Sequence, residues 1–139
     1  MFVVLVRHAE PVATGTDPDL STAGKKRALT LARVLTDVGI TSIFTSDLRR
    51  TKETAKPLAT QLAIAPVVIA DAPATAAAQI KTAAGRVLVI GHTNTVPDII
   101  KALGGPPDVE IPHTDFDRLF VLTVPAGGAG SLLSLRYKG

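Results

Sequence analysis

Phe2-Val3-Val4-Leu5-Val6-Arg7-His8-Ala9-Glu10 opens the chain and decides how the rest of it is read. The apolar, mostly β-branched run Val3 to Val6 leads into an arginine and a histidine, and Pro11 closes the stretch. A short continuous apolar run of this kind reads as a strand buried on both faces of a parallel sheet. Ligands of open α/β sheets lie at the carboxyl ends of the strands. Arg7 and His8 are therefore expected where chemistry sits. The plain alternative is that they simply leave the core at a strand end.

Bulk properties bound the answer. A length of 139 residues fits one domain, residues 1–139, able to bury about two thirds of its unfolded surface. Hydrophobic content of 46% beside 19% charged residues belongs to a folded chain and argues against disorder. With no cysteine, disulfides and thiolate metal sites are excluded. Met1 opens on a short apolar run with neither a basic segment nor a small-residue cleavage site, and no stretch approaches the roughly 18 apolar residues of a membrane span. A soluble, cytoplasmic protein with no membrane partner is expected. The net charge of +3 favours anionic partners weakly. Lys25-Lys26-Arg27 and Arg49-Arg50 are the only local basic clusters, and they read as solvated helix faces. With few aromatics to stack bases, nucleic acid is not an expected partner. The chain is expected to be a monomer or weak dimer.

Strand and helix signals alternate along the sequence. Pro11 to Leu20 has loop chemistry. Ser21 or Thr22 caps a helix expected to reach Val38, with Ala28, Leu31, Ala32, Leu35 and Val38 at helical spacing and Gly39 as its stop. Ile40 to Thr45 reads as a strand and Ser46-Asp47 as the start of a second helix, which Pro57 should kink or break. Pro66 to Ala70 reads as a third strand, Asp71 to Thr75 as loop, and Ala76 to Ala84 as a short helix. Arg86 to Ile90 is a buried strand delivering Gly91-His92-Thr93-Asn94. A helix carrying Val96, Ile99, Ile100 and Leu103 follows, stopped by Gly104-Gly105-Pro106-Pro107. Leu119 to Val124 and Ser131 to Arg136 read as a late antiparallel hairpin. This order predicts a three-layer α/β/α sandwich with a mainly parallel sheet.

Two strands thus end in histidine, at Arg7-His8-Ala9 and at Ile90-Gly91-His92. A third ends at Thr45-Ser46, before Asp47-Leu48-Arg49-Arg50-Thr51-Lys52-Glu53-Thr54-Ala55. In these three places, and in Leu20-Ser21-Thr22-Ala23-Gly24, the sequence resembles the histidine phosphatase, or phosphoglycerate-mutase-like, superfamily. Arg7-His8-Ala9 is similar to that family's opening motif. Ser46 to Ala55 matches its Ser-x-Leu-x-Arg-Ala/Thr-x-x-Thr-Ala motif, and His92 matches its second histidine. Together these run from the first strand to about Leu103, and the resemblance rests on all four occurring in order.

The resemblance implies that His8 is the nucleophile, forming a phosphohistidine that water hydrolyses. It implies that Arg7, Arg50 and His92 hold the phosphoryl group. The residue types suit that chemistry. An imidazole attacks phosphorus only when neutral, and cations on the non-bridging oxygens stabilise the charge that develops. Guanidinium heads offer several donors in one plane, and two of them near His8 disfavour its protonation. The other ring nitrogen of His8 should donate to a backbone carbonyl. The scheme calls for no metal and no cofactor, and no pair of histidines shows ligand spacing on one helix.

Adjacent Arg49 and Arg50 cannot both face one pocket from a helix. The motif selects Arg50 and leaves Arg49 to solvent or an ion pair. Glu53 is placed to pair with Arg50 on one helix face or to serve as a surface charge. Thr14 stands six positions after His8, where many relatives carry a phosphate-contacting asparagine. The general acid is open between Glu10 and Asp71, the latter being the only acid between Val67 and Gln79; Asp71 also suits a turn before Pro73. His113, Asp115 and Asp117 either border the site or serve as loop polarity and a cap.

His92 follows Asp71 by only 21 positions, too few for the helical lid of mutases and sugar-bisphosphate phosphatases. The chain is therefore similar to the compact branch that includes bacterial phosphohistidine phosphatases. The expected function is metal-independent hydrolysis of phosphate monoesters or protein phosphohistidine, with a phosphorylated small molecule or phosphoprotein as substrate. The alternatives are mutase-type phosphotransfer and a phosphate-binding or interaction module without turnover.

Overall fold

A computed structural model describes residues 1–138. Ten elements alternate as the sequence predicts: β1 (Phe2–Arg7), α1 (Thr22–Val34), β2 (Ile40–Thr45), α2 (Arg49–Leu62), β3 (Val67–Val68), α3 (Pro73–Thr82), β4 (Arg86–Gly91), α4 (Thr95–Ala102), β5 (Arg118–Thr123) and β6 (Ser131–Arg136). The strands form one six-stranded sheet in the order β3-β2-β4-β1-β5-β6. β1, β2, β3 and β4 run parallel, and β5 is antiparallel to both β1 and β6. The late hairpin therefore forms where its connector allowed it.

Burial on both faces explains why β1 and β4 read as unbroken apolar runs. Val3 and Leu5, with Val87 and Val89 of β4, pack beneath α3 and α4. Val4 and Val6, with Leu88 and Ile90, pack beneath α1 and α2. Successive strand side chains point to opposite faces, so one six-residue strand supplies both cores. The architecture is a three-layer α/β/α sandwich.

Several boundaries differ from the sequence reading, each for a local reason. α1 ends at Val34 rather than Val38. The Thr36 hydroxyl takes the Ala32 carbonyl at 2.8 Å, and the chain tightens into turns before Gly39, at φ +82°, a conformation that favours glycine. α2 begins at Arg49, with no side-chain cap from Ser46 or Asp47. It also runs unbroken through Pro57. Ala55, Leu58 and Ala59 are buried on either side of the proline, and their packing outweighs the lost backbone bond. β3 shrinks to two exposed residues, although Ile69 N still donates to Thr45 O at 2.8 Å. α3 starts three positions early because Pro73 occupies its first turn, where a missing donor costs nothing.

Candidate active site

The parallel register brings the ends of three strands together: Arg7 lies opposite Gly91, and Thr45 opposite Ile90. His8 N donates to Gly91 O at 2.9 Å, extending the ladder one step past β1. The His8 and His92 rings consequently stand 5.2 Å apart, centroid to centroid, tilted by 59°. Arg50, in the first turn of α2, completes a cavity of about 420 Å³ that is also lined by Arg7, His113, Thr16 and Asn94. Arg7, His8, Arg50 and His92 are thus gathered in one place.

His8 is 5% exposed. Its Nδ1 lies 2.8 Å from Ala9 O. A carbonyl only accepts, so Nδ1 carries the proton and Nε2 keeps its lone pair. Ala9 is itself fixed, its N donating to Thr54 Oγ1 at 2.9 Å. Burial pushes the His8 pKa down to about 4, against the Ala9 hydrogen bond, which favours the charged ring; Arg7, His92 and Arg50 add smaller depressions. The two arginines act in the expected direction, but burial is the larger cause.

Arg7, 8% exposed, is clamped from the loop after α4. Its Nη1 donates to His113 O at 2.7 Å and Asp115 O at 3.1 Å. Its guanidinium carbon sits 3.8 Å from the Phe116 ring centroid, a cation–π contact. Its Nε is buried without a hydrogen-bond partner among the described residues. Burial lowers the Arg7 pKa, Arg50 adds to this, and Glu10 and Asp115 oppose it.

His92 is held differently. Its Nε2 lies 2.8 Å from Ser46 Oγ, and its backbone N donates to Thr95 Oγ1 at 2.9 Å. Burial, then Arg50 and Arg7, push the His92 pKa down to about 4, with Asp71 acting in the opposite sense. The guanidinium of Arg50 has no hydrogen-bonding or ion-pair partner among the described residues.

The acid candidates separate. Glu10 accepts from Arg27 Nε at 2.7 Å and Nη2 at 3.1 Å, and it lines a different cavity, with Phe116 and Asp117. Burial alone would raise the Glu10 carboxyl, but the Arg27 hydrogen bonds and charge hold its pKa below the ordinary value. Asp71 lines a cavity of about 460 Å³ that includes Arg50, His92 and Ser46. Asp71 thus shares a cavity with Arg50 and His92, whereas Glu10, although its charge reaches Arg7, is committed to Arg27.

The other expectations divide: those for Thr14 and for a Glu53–Arg50 pair are corrected, and those for Arg49 and His113 agree with the fold. Thr14 is exposed and absent from the cavity, where Gly15 and Thr16 stand instead. Glu53 does not pair with Arg50; its Oε1 accepts from Leu20 N at 2.8 Å. Arg49 faces outward to Asp17 and Asp19, at 3.9 and 3.6 Å. His113 borders the cavity, while Asp115 serves Arg7 through its carbonyl and Asp117 pairs with Arg136 at 3.1 Å. Sequence reasoning missed Ser46, Thr54 and Phe116 as contacts of the cluster. Ser46 and Thr54 stand within the quoted motif, but nothing local shows which groups their hydroxyls meet.

The description of the histidine phosphatase superfamily (branch 1) matches residues 3–74, more than half of the chain, and the chain belongs to that superfamily as a histidine phosphatase. No curated protein sequence matches it. Among solved structures, the protein histidine phosphatase SixA complexed with tungstate is 19% identical, with 98% of this chain and 97% of that one covered and a TM-score of 0.81. A candidate phosphohistidine phosphatase SixA from Agrobacterium tumefaciens is 22% identical over 96% and 97%, at 0.71. A mycobacterial glucosyl-3-phosphoglycerate phosphatase is 15% identical over 99% of each chain, at 0.73. At these identities the likeness is one of fold.

Proposed function

We propose that the chain, acting as one domain over residues 1–139, hydrolyses phosphate monoesters or protein phosphohistidine through a covalent phosphohistidine on His8, without a metal. The observation that carries this is the state of His8. Its proton is committed to Ala9 O, and its pKa is held near 4, so Nε2 offers a lone pair at neutral pH. A nucleophile buried beside two guanidiniums suits attack on a dianionic centre.

Nε2 attacks phosphorus, a P–N bond forms, and the bond to the leaving group breaks. Arg7 and Arg50 hold the non-bridging oxygens, and the unpartnered Arg7 Nε is a donor that an oxyanion beside it would satisfy. His92 faces the same group. Water then attacks the phosphohistidine, releasing phosphate and restoring neutral His8. Asp71 is the carboxyl assigned to protonate an alkoxide leaving group, because it shares a cavity with Arg50 and His92 while Glu10 is committed to Arg27. A phosphoramidate needs this acid least, since its leaving nitrogen takes a proton readily.

The test is hydrolysis of an aryl phosphate in the presence of a chelator, with rapid acid quench and recovery of labelled protein. Turnover and label are both expected, and both are expected to vanish in His8→Ala. Activity that survives His8→Ala, or that the chelator abolishes, overturns the mechanism.

A further inference from the structure

Ser46 and Thr51 form a hydroxyl pair behind His92 that the proposed chemistry does not use. Ser46 Oγ lies 2.8 Å from His92 Nε2 and 2.8 Å from Thr51 Oγ1. Thr51 Oγ1 also lies 2.9 Å from Leu48 O and 3.0 Å from Ser46 O. Each hydroxyl has one proton to give, and a carbonyl can only accept. Thr51, fully buried, gives its proton to a carbonyl and turns a lone pair to Ser46. Ser46 gives its proton to Thr51 and has only lone pairs left for His92. The proton between Ser46 and His92 must then belong to Nε2. Nδ1 keeps a lone pair, has no partner among the described residues, and is not sealed from solvent.

We propose that Ser46, backed by Thr51, is a positioning residue that holds His92 in the Nε2–H tautomer, so that His92 accepts the proton of a phosphate monoester monoanion at Nδ1. The step balances. The P–O–H proton moves to Nδ1, giving a fully ionised phosphoryl group hydrogen-bonded to an imidazolium whose Nε2–H remains on Ser46. Four groups surround the ring: His8 and Arg7 from the end of β1, Arg50 from α2, and Asp71 before α3. The two arginines oppose an imidazolium in the empty cavity, and a seated anion offsets them. His8 is the mirror case, its proton on Nδ1 and its lone pair on Nε2. The proton-accepting role rests on the function proposed above; the tautomer does not.

Nitrogen-15 NMR of the ring nitrogens at neutral pH, on the full chain without ligand, reads the tautomer directly. Wild type is expected to show His92 protonated at Nε2. Ser46→Ala should mix in the Nδ1–H form and leave the His8 signals unchanged, and Ser46→Thr should restore the wild-type pattern. On an aryl phosphate, Ser46→Ala should lower kcat roughly ten- to hundredfold, the scale for losing an outer-shell partner. The wild-type kcat/KM should fall above about pH 6, as the monoester loses its last proton, and that limb should flatten in Ser46→Ala. An Nδ1–H tautomer in wild type, or a tautomer indifferent to Ser46→Ala, overturns the proposal. An inactive chain in which the tautomer still responds upholds the positioning role and overturns the phosphatase mechanism instead.

Discussion

The ends of β1 and β4 are adjacent, parallel and similarly buried, yet they hold their histidines by different means. His8 is fixed by the carbonyl of the next residue, a group that no substitution removes. His92 is fixed by a hydroxyl 46 positions earlier in the chain, on the loop between β2 and α2. A main-chain anchor gives a ring orientation as durable as the fold. A side-chain anchor gives one that a single atom controls. Burial depresses both pKa values to about 4, so the difference between the rings is one of anchoring rather than charge.

The largest effects should fall on the nucleophile. His8→Ala is expected to lower kcat by on the order of 10⁴-fold or more, as losses of nucleophiles do, measured by steady-state turnover of an aryl phosphate. Arg50→Ala should cost about 10²- to 10³-fold, the scale of one preorganised oxyanion donor. Arg50 has no partner among the described residues to leave stranded, so the melting temperature of the variant should barely move. A large loss of stability in Arg50→Ala would show that the guanidinium holds the fold together and is not reserved for a ligand.

Both histidines also predict how stability follows pH. Each titrates near 4 when folded and near 6.5 when unfolded. Between those values the unfolded chain binds protons that the folded chain does not, so stability rises with pH across this window. The contribution is complete above about pH 6.5 and is lost as pH falls toward 4. Thermal melts over this range should show a steeper decline in wild type than in a His8→Ala, His92→Ala double variant. Parallel declines would mean that other groups govern the acid side. The acid limb of kcat/KM should likewise lie near pH 4, where His8 takes up its proton.

The sheet and the core four were legible because their signals are local. A doubly buried strand must be apolar throughout, so β1 and β4 could be read directly, and the residues after each were fixed by chain continuity. Arg50 could be read because the resemblance to the family motif selects it; helix geometry says only that Arg49 and Arg50 cannot both face one pocket. What stayed hidden depends on distant partners. In sequence Pro57 is expected to kink or break α2, but the helix continues through it because buried neighbours outweigh one lost bond. Ser46 looks like a helix cap in sequence, and in the fold it belongs to His92. Thr14 fails because counting along a loop does not fix where its side chains point. Gly24 is a subtler case: a Cβ there would stand 2.1 Å from Glu10 O, so α1 packs on the chain just past the nucleophile only because the residue is glycine.

Glu10 and Asp71 give the smallest effects and the sharpest contrast. Near the nucleophile in sequence, Glu10 is tied by two hydrogen bonds to Arg27, which also donates to Tyr137 O at 2.9 Å. Its carboxylate fastens the segment after β1 to α1. Glu10→Gln should therefore leave turnover within about threefold while lowering stability by about 1–3 kcal/mol, the range for a charge-assisted hydrogen bond lost at a partly buried site. Asp71→Asn should do the reverse. It lies exposed with no ion-pair partner among the described residues, so stability should change by less than about 0.5 kcal/mol. Turnover should drop for an alkyl phosphate, whose alkoxide needs a proton, and hold for an aryl phosphate, whose leaving group does not. Denaturant melts and the two substrates measured on both variants separate the roles. A loss of turnover on the alkyl phosphate in Glu10→Gln but not in Asp71→Asn would exchange the assignments, and it would mean that Arg27 releases Glu10 during turnover.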